Sequence, residues 1–586
     1  MCARETDIRT GKDFVVEGTN YRISVLTDRL IRFEYSPQGV FVDAATQVVV
    51  NRKFPSANYE IRRNGDEIEI LTEYLAVKYN QKKFSQESLS VRLRKGAFSW
   101  NATWRYGDAC ENLGGTVRTL DNVDGAIPLE NGLLSRNGFT VMDDSKSMIM
   151  TEDGWIKPAP EEHTDIYFWG YGHAYKECLK AFYHLCGQTP MLPRFALGNW
   201  WSRFYAYTQE EYLGLMERFR REQIPFAVAV IDMDWHYVQL DEKYGSGWTG
   251  YTWNEKLFPD HQEMLKKLHQ DGMHVTLNVH PADGVRGHEK AYLPMAAALG
   301  LDAESGEAIP FDAADRRFMA TYFEYLHHPL EREGVDFWWI DWQQGKISGL
   351  KGLDPLWVLN HFHFEDQKRE GKRPMIFSRY AGLGSHRYPI GFSGDSIITW
   401  KSLDFQPYFT ATASNVGYGW WSHDIGGHMN GYRDDELMVR WVQFGTFSPI
   451  MRLHSSCSRF TGKEPWNYPE RECGIITRYL RLRHAMIPYL YTMNERNHSQ
   501  GESLIQPMYY EYPEENNAYE VPGQYFFGNS LLVHPITART DEISKMSAVT
   551  SWLPQGEWID VFSGLRYHGG RMIKMYRPVE EIPVLM

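Results

Sequence analysis

Up to about residue 187, apolar and polar positions alternate in short runs: YRISVLTDRLIRFEYS, TQVVVNRKF, YEIRRNGDEIEILTEYLAVKYN and LSVRLRKGAFSWNATW. Runs of this length with period two, at regular spacing and separated by Gly, Asn, Asp and Lys turns, predict a β-sandwich over residues 1–187. A helix-like stretch at 174–185 and the linker Gly187-Gln188-Thr189-Pro190 close it. The pattern then changes. Short apolar strands alternate with amphipathic helices: a strand over 195–204, a helix capped by Thr208 with Glu210 and Glu211 in its first turn, PFAVAVIDMDW as strand, HQEMLKKLHQDG as helix and MHVTLNVHP as strand. A helical segment over 316–333 leads into VDFWWIDW, then come PMIFSRY, IGFSGDS, VGYGWWSHDIGG and SPIMRLH. Eight strands with intervening helices predict an α/β fold, a (β/α)8 TIM barrel over residues 188–500. A doubly wound sheet is the alternative, but no G-x-G-x-x-G follows a strand. Alternation returns in SLIQPMYYEY, GQYFFGNSLLVHPI and MSAVTSWLPQGEWIDVFSG, which predicts a small β domain over 501–586. The chain stops at EIPVLM, in what reads as mid-strand, so this domain is expected to be incomplete at Met586 and the chain to be a fragment.

The barrel concentrates the chemistry. Such a barrel builds its site at the C-terminal ends of its strands, and the ionisable residues gather there: Asp232 and Asp234, His280, Asp341, Arg379, Asp395, His423 and Asp424, Arg452 and His454. In VDFWWIDWQQG an apolar aromatic run ends on Asp341 and then breaks at Gln343-Gln344-Gly345. A carboxylate there costs several kcal/mol of desolvation unless it is compensated, so taken alone Asp341 is either a paired structural acid or a working one. Seven strand ends bearing ionisable groups favour the second.

Composition narrows the chemistry. The net charge is −13 and no basic stripe appears, which argues against a nucleic-acid partner. Aromatic residues make up 15% of the 586 residues, a content that suits flat sugar rings but that core packing mostly explains. The six cysteines (Cys2, Cys110, Cys178, Cys186, Cys457 and Cys473) show neither metal-like nor disulfide-framework spacing, so reduced and mostly buried thiols are expected. The start, MCARETDIRTGKDF, has no signal-like core, and no run reaches the roughly 18 to 20 apolar residues of a membrane span. A cytoplasmic enzyme is expected, with the sequons at Asn101 and Asn497 accidental.

Serine-nucleophile, P-loop and H-E-x-x-H motifs are absent from the sequence. What the barrel offers is carboxylates, and two of them flanking a bond are the minimum equipment of glycoside hydrolysis. Asp341 and Asp395 are the best pair. Asp395 sits in SGDS, where Gly394 allows close approach and Ser393 and Ser396 can orient a protonated carboxyl. A neighbouring ionised carboxylate would raise its pKa, while Arg379 near Asp341 and Asp395 would keep a nucleophile ionised. A metal-dependent hydrolase is a competitor, since several His lie at strand ends. Its usual H-x-H is missing there, and His361-Phe362-His363 falls in a helical pattern where residues two apart do not share a face. A non-catalytic sugar-binding protein is the alternative of another class.

Several motifs resemble glycoside hydrolase family 31, the α-glucosidase and α-xylosidase family. WWIDWQQ resembles its nucleophile strand, SRYAGLGSHRYPIGFSGDS its acid/base segment, and GYGWWSHDIGGH, MRLHSS and KEPWNY its next strands and loop. YTWNEKLFPD, GQYFFGNSLLVHPI and WLPQGEWIDVFSG extend the likeness, which covers roughly residues 110–586 in order. The resemblance implies that Asp341 is the nucleophile and Asp395 the general acid/base. It implies Asp232, His454 and Arg379 as partners of sugar hydroxyls or carboxylates, Asp424 as an acid beside the same pocket, and Trp339 and Trp200 as aromatic walls. Met233 and Trp235 depart from the Ile and Tyr common in their motif and border the pocket, where they can shift sugar preference. Gln344 replaces a usual Glu, and Ser396 a usual Asn. The loop over 112–136 takes the place of one that the family's sandwich sends over the barrel mouth, with Asp121 read as a surface turn residue rather than a substrate contact.

The expected reaction is retaining hydrolysis of a terminal α-linked sugar, most simply α-glucose from oligosaccharides, with the two carboxyls about 5 to 5.5 Å apart. No metal or cofactor is required. The glycone (xylose, galactose and N-acetylgalactosamine are the alternatives) and transglycosylation stay open, as does homo-oligomer formation through exposed aromatic loops.

Overall fold

The computed structural model describes residues 15–55, 57–95 and 102–586. Cys2, Asn101 and the N-terminal stretch over residues 1–14 lie outside the described residues. Two five-stranded antiparallel sheets form the N-terminal sandwich. One orders Val15–Glu17, Tyr21–Val25, Leu30–Tyr35, Thr164–Trp169 and Thr140–Asp143; the other runs Glu60–Asn64, Glu67–Leu71, Leu75–Tyr79, Leu89–Leu93 and Thr103–Arg105. Their alternating inward residues, Ile23, Phe33, Ile68, Val77, Val91 and Phe168 among them, make one dry core, as packing of two inner faces requires. The helix Tyr175–Cys186 then leads to the barrel.

Eight parallel strands follow: β1 (Asn199–Trp201), β2 (Val228–Ile231), β3 (His274–Val279), β4 (Phe337–Ile340), β5 (Phe377–Arg379), β6 (Gly391–Phe392), β7 (Trp421–Ser422) and β8 (Met451–Leu453). Each pairs with its sequence neighbour, β8 pairs back onto β1, and a parallel bridge between Ile425 and Leu453 joins the remaining edges. The sheet is thereby nearly closed into a barrel. The strand read over 195–204 is shorter than its apolar run: residues Arg194–Leu197 form a 3-10 turn and only Asn199–Trp201 is strand. Thr208 caps its helix as expected, with Glu211 completing a capping box. His361 and His363 lie in the helix Pro355–Asp366, bonded to Tyr388 and Tyr322 respectively.

Beyond the barrel, Ile505–Pro507, Tyr525–Phe527, Leu531–Val533 and Val584–Leu585 form a four-stranded sheet, joined by two two-stranded ladders. Ile505, Tyr525 and Phe527 belong to the barrel's own hydrophobic cluster, so the two units share a core. Of the five described cysteines, all unpaired, Cys178 and Cys186 are buried, Cys110 and Cys473 half-buried, and Cys457 exposed, which corrects the expectation of mostly buried thiols. Asn497 is buried and accepts from the Trp420 indole N–H, out of reach of a glycosylating enzyme in the folded chain. Among the described residues no helix is long and apolar enough to cross a membrane.

Candidate active site

The β4 residues are all buried, and the Asp341 N–H still donates to Val279 O (3.0 Å), so the carboxylate leaves the barrel wall one step above the last strand residue. Its side chain is 9% exposed. Arg379, at the end of β5, donates to Asp341 Oδ1 from Nε (3.1 Å) and Nη2 (3.0 Å), and His280 Nε2, just past β3, lies 3.3 Å from Oδ2. Burial alone would push this carboxyl up. The Arg379 charge and His280 outweigh it and hold the group well below the usual carboxylate range.

Asp395 follows β6 in the opposite electrostatic situation. Its side chain is 29% exposed, facing the pocket. Burial, with Asp424, Asp341 and Asp121 adding to it against the pull of His428, pushes its carboxyl up to about 7. Gly394 carries φ +89°, and a Cβ there would lie 2.1 Å from Asp121 Oδ1 and 2.2 Å from Arg379 Nη1, so only glycine lets the segment approach. The expected orienting serines do something else. The Ser393 and Ser396 hydroxyls are buried without a hydrogen-bond partner, and the segment is held by its backbone.

That backbone is held by the loop over 112–136, and the reading of Asp121 as a mere surface turn residue is corrected here. Asp121 Oδ1 accepts from the Asp395 N–H (2.8 Å) and from Arg379 Nη1 (3.1 Å), and Arg379 Nη1 also donates to Thr119 Oγ1 (2.7 Å). Leu120 and Asn122 N–H groups donate to Ser393 and Asp395 carbonyls at 2.6 and 2.9 Å. One carboxylate from the sandwich thus braces both the guanidinium that holds Asp341 and the main chain of Asp395.

The remaining groups complete a cavity of about 730 Å3 lined by Asp232, Met233, Trp339, Asp341, Asp395 and His454, among others. Asp232 caps the turn Met233–Trp235 by accepting from the Met233 N–H (2.7 Å), lies 3.8 Å from His454 Nε2, and is pushed up to about 7, chiefly by burial. His454 Nδ1 sits 2.6 Å from Ser202 Oγ, and its ring meets Trp339 edge-on at 5.3 Å. Trp248, Tyr432 and Phe460, 51%, 45% and 76% exposed, stand around the mouth, and Trp248 meets the His280 ring edge-on at 5.2 Å.

Four of the residues expected at the pocket do not line it. Arg379 and Asp424 act from behind the wall, Asp424 paired with Arg452. Trp200 is fully buried deeper in the barrel, its ring edge-on to Phe337 and Phe377 at 5.5 and 5.4 Å, which corrects its reading as a wall. Trp235 is also fully buried, donating to Asn278 O (2.7 Å) and packing on Trp253. His423 faces outward onto Phe444, because neighbouring strand residues point to opposite sides. Gln344 is exposed. Pocket residues that escaped the sequence reading include Trp248, Tyr432 and Phe460 at the mouth and, among the ionisable ones, His428 and the buried Lys463, whose ammonium donates to Gly426 O (2.7 Å). The spacing of His428 four residues after Asp424 was the one visible signal.

Asp395, Asp424, His428 and His454 each bring a donor atom within 4.8 Å of the others. Arg452 already gives Asp424 a fixed positive partner, so the cluster is balanced by the protein's own charges. The same holds for Glu34, His163 and Asp165 in the sandwich, where Arg22 and Arg32 pair with the acids.

Residues 189–493 match the model of the glycosyl hydrolases family 31 TIM-barrel domain, more than half of the chain, and 501–586 match that of the family 31 C-terminal domain. The chain belongs to glycosyl hydrolase family 31. Similar proteins include an α-xylosidase of Saccharolobus solfataricus, 27% identical over 80% of this chain and 65% of its own length. Another is α-glucosidase 2 of Bacillus thermoamyloliquefaciens, 25% identical over 70% of this chain and 54% of its own length. The chain thus spans between half and two thirds of these curated relatives. Among solved structures, a family 31 α-xylosidase from a soil metagenome, complexed with xylose, is 19% identical and covers 97% of both chains with a TM-score of 0.73. A family 31 dextranase of Flavobacterium johnsoniae, complexed with glucose, is 21% identical and covers 97% of this chain and 78% of its own with a TM-score of 0.76. These likenesses carry the fold.

Proposed function

We propose that this family 31 chain is a retaining, exo-acting α-glycoside hydrolase that releases a terminal α-linked sugar, with α-glucose as the glycone. The observation that carries the reading is the opposed tuning of two carboxyls at one mouth: Asp341 held ionised by Arg379 and His280, and Asp395 kept protonated up to about 7. A nucleophile has to be an anion and an acid has to carry a proton, and environments that push two groups apart assign those roles. Asp341 attacks the anomeric carbon while Asp395 gives its proton to the leaving oxygen. Water, deprotonated by Asp395, then attacks the same carbon and frees Asp341. Asp232 and His454 face the glycone end of the cavity, where a carboxyl and an imidazole can bond sugar hydroxyls, and Trp339 offers the ring an apolar face. A second reading takes α-xylose as the glycone, supported by the relatives named α-xylosidases.

The test is release of nitrophenol from α-linked glucosides, xylosides, galactosides and N-acetylgalactosaminides by the wild type, by Asp341→Ala and by EDTA-treated enzyme. Activity on the glucoside that vanishes in Asp341→Ala and survives EDTA supports the first reading, and a preference for the xyloside supports the second. Activity that persists in Asp341→Ala, or is lost to EDTA, overturns the two-carboxylate mechanism.

A further inference from the structure

His428 lies four residues beyond Asp424, after a turn in which Gly426 and Gly427 take φ +93° and +72°. Its N–H donates to Ser396 O (2.9 Å), tying the turn to the segment that carries Asp395. The imidazole is 6% exposed and spans two carboxylates, with Nδ1 3.2 Å from Asp424 Oδ2 and Nε2 3.7 Å from Asp395 Oδ2. Other charged groups around it come from several elements. Asp232 follows β2 and Asp341 follows β4 across the cavity; His454 follows β8, its ring stacked on His428 at 4.8 Å; Arg452 of β8 holds Asp424 from the far side; and Lys463 reaches Gly426.

We propose that His428 is a positioning residue for Asp395: an imidazolium held in place by Asp424, whose charge stabilises the carboxylate left on Asp395 once its proton has gone to the leaving oxygen. The inference rests on reading Asp395 as the acid/base. The argument follows the charge. In the first step the Asp341 oxygen bonds to the anomeric carbon, the bond from that carbon to the leaving oxygen breaks, and the proton of Asp395 moves to that oxygen. The net result is one negative charge lost at Asp341 and one gained at Asp395. In the second step water gives its proton to Asp395 and its hydroxide to the carbon, and the charge returns. Arg379 serves this charge where it starts. At Asp395 the neighbours Asp424 and Asp121 are themselves acidic. Arg379 also feels this carboxylate, but its donors are taken by Asp341, Thr119 and Asp121, and among the described residues His428 is the cationic group whose nitrogen comes nearest it. Burial alone would make His428 neutral, but its contacts with Asp424 and Asp395 outweigh that and raise its pKa.

The experiment compares wild type with His428→Gln and His428→Phe, which remove the charge, and His428→Lys, which keeps one. Profiles of kcat/KM against pH are taken on an aryl glycoside with a poor leaving group and on one with a dinitrophenyl leaving group, which departs without a proton. Loss of the cation lets the pKa of Asp395 rise, so the basic limb in His428→Gln and His428→Phe is expected to move up by about one pH unit. The rate on the poor leaving group should fall about tenfold, for that one unit of acid strength, while the dinitrophenyl substrate is hardly affected. His428→Lys should bring the limb back toward wild type. An unmoved limb in whichever of the three variants folds, or equal losses on both substrates, overturns the proposal and leaves His428 a packing residue. Asp395→Ala run alongside separates the two claims: if its loss does not depend on the leaving group, the reading of Asp395 itself falls, and the role of His428 with it.

Discussion

Replacing Asp121 tests whether the sandwich takes part in catalysis. Its Oδ1 holds the Asp395 main chain at 2.8 Å and the Arg379 guanidinium at 3.1 Å. Hydrogen bonds involving a charged group are worth about 1.5 to 3 kcal/mol each. The side chain is 22% exposed and the loop keeps its backbone ties to 393–397, so screening and the surviving bonds reduce the loss felt at the site to about 2 kcal/mol. At about 1.4 kcal/mol per factor of ten, kcat/KM of Asp121→Ala should fall about 30-fold. Asp121→Asn keeps an acceptor for both donors and should lose only a few-fold. The Asp121 charge also helps to keep Asp395 protonated, so either substitution should move the basic limb down, opposite to the His428 variants. The assay is aryl glycoside hydrolysis from pH 5 to 9, with a thermal melt to show that the fold is kept. Asp121→Ala within about twofold of wild type at every pH would refute the reasoning, because the two bonds would then carry no catalytic free energy.

Other consequences are as direct. With Asp395 protonated up to about 7, kcat/KM should fall above that pH as the acid is lost; a profile still rising at pH 8 would contradict the assignment. Arg452→Met leaves Asp424 buried without its cation and should cost about 3 to 5 kcal/mol in a denaturant melt. The sign of its pH dependence is fixed. In the wild type the depressed Asp424 contributes stability above the ordinary carboxylate pKa and loses it as pH falls. In the variant His428 and His454 alone oppose burial and the Asp424 pKa rises from its wild-type position, so the deficit should be larger at pH 7 than at pH 4. Trp200→Ala, deep in the barrel, should lower stability by about 3 to 5 kcal/mol without changing KM, whereas Trp339→Leu should raise KM.

The β4 run and its terminal Asp341 were legible because a strand buried on both faces reads as a continuous apolar stretch, and a carboxylate at its end has few innocent explanations. β6 and β7 were located although each is two residues long, since the polar groups just beyond them marked the ends. Trp200 was misplaced for a related reason. An inward-facing aromatic belongs to a layer of the barrel, and only the top layer meets the pocket; beyond β1 the residue that lines it is Phe204, while Ser202 meets His454 from behind. For Asp121 the backbone reading was sound, with Asn122 beside it at φ +60°, but no local pattern reveals that its carboxylate meets Arg379 258 residues away. His428 followed two glycines in a motif whose chemistry had already been assigned to Asp424, so its side chain drew no separate question.

Trp248 gives the pocket a built-in optical signal. Among the described tryptophans it is the exposed one, and it stands at the mouth against His280, one contact away from Asp341. The other described indoles are wholly or partly sheltered, so among them collisional quenchers and polar shifts in emission act first on this ring. If the proposed sugar enters the cavity it should screen this ring, and fluorescence of the unlabelled chain should then follow occupancy in real time, even in Asp341→Ala, where no product is expected to be counted.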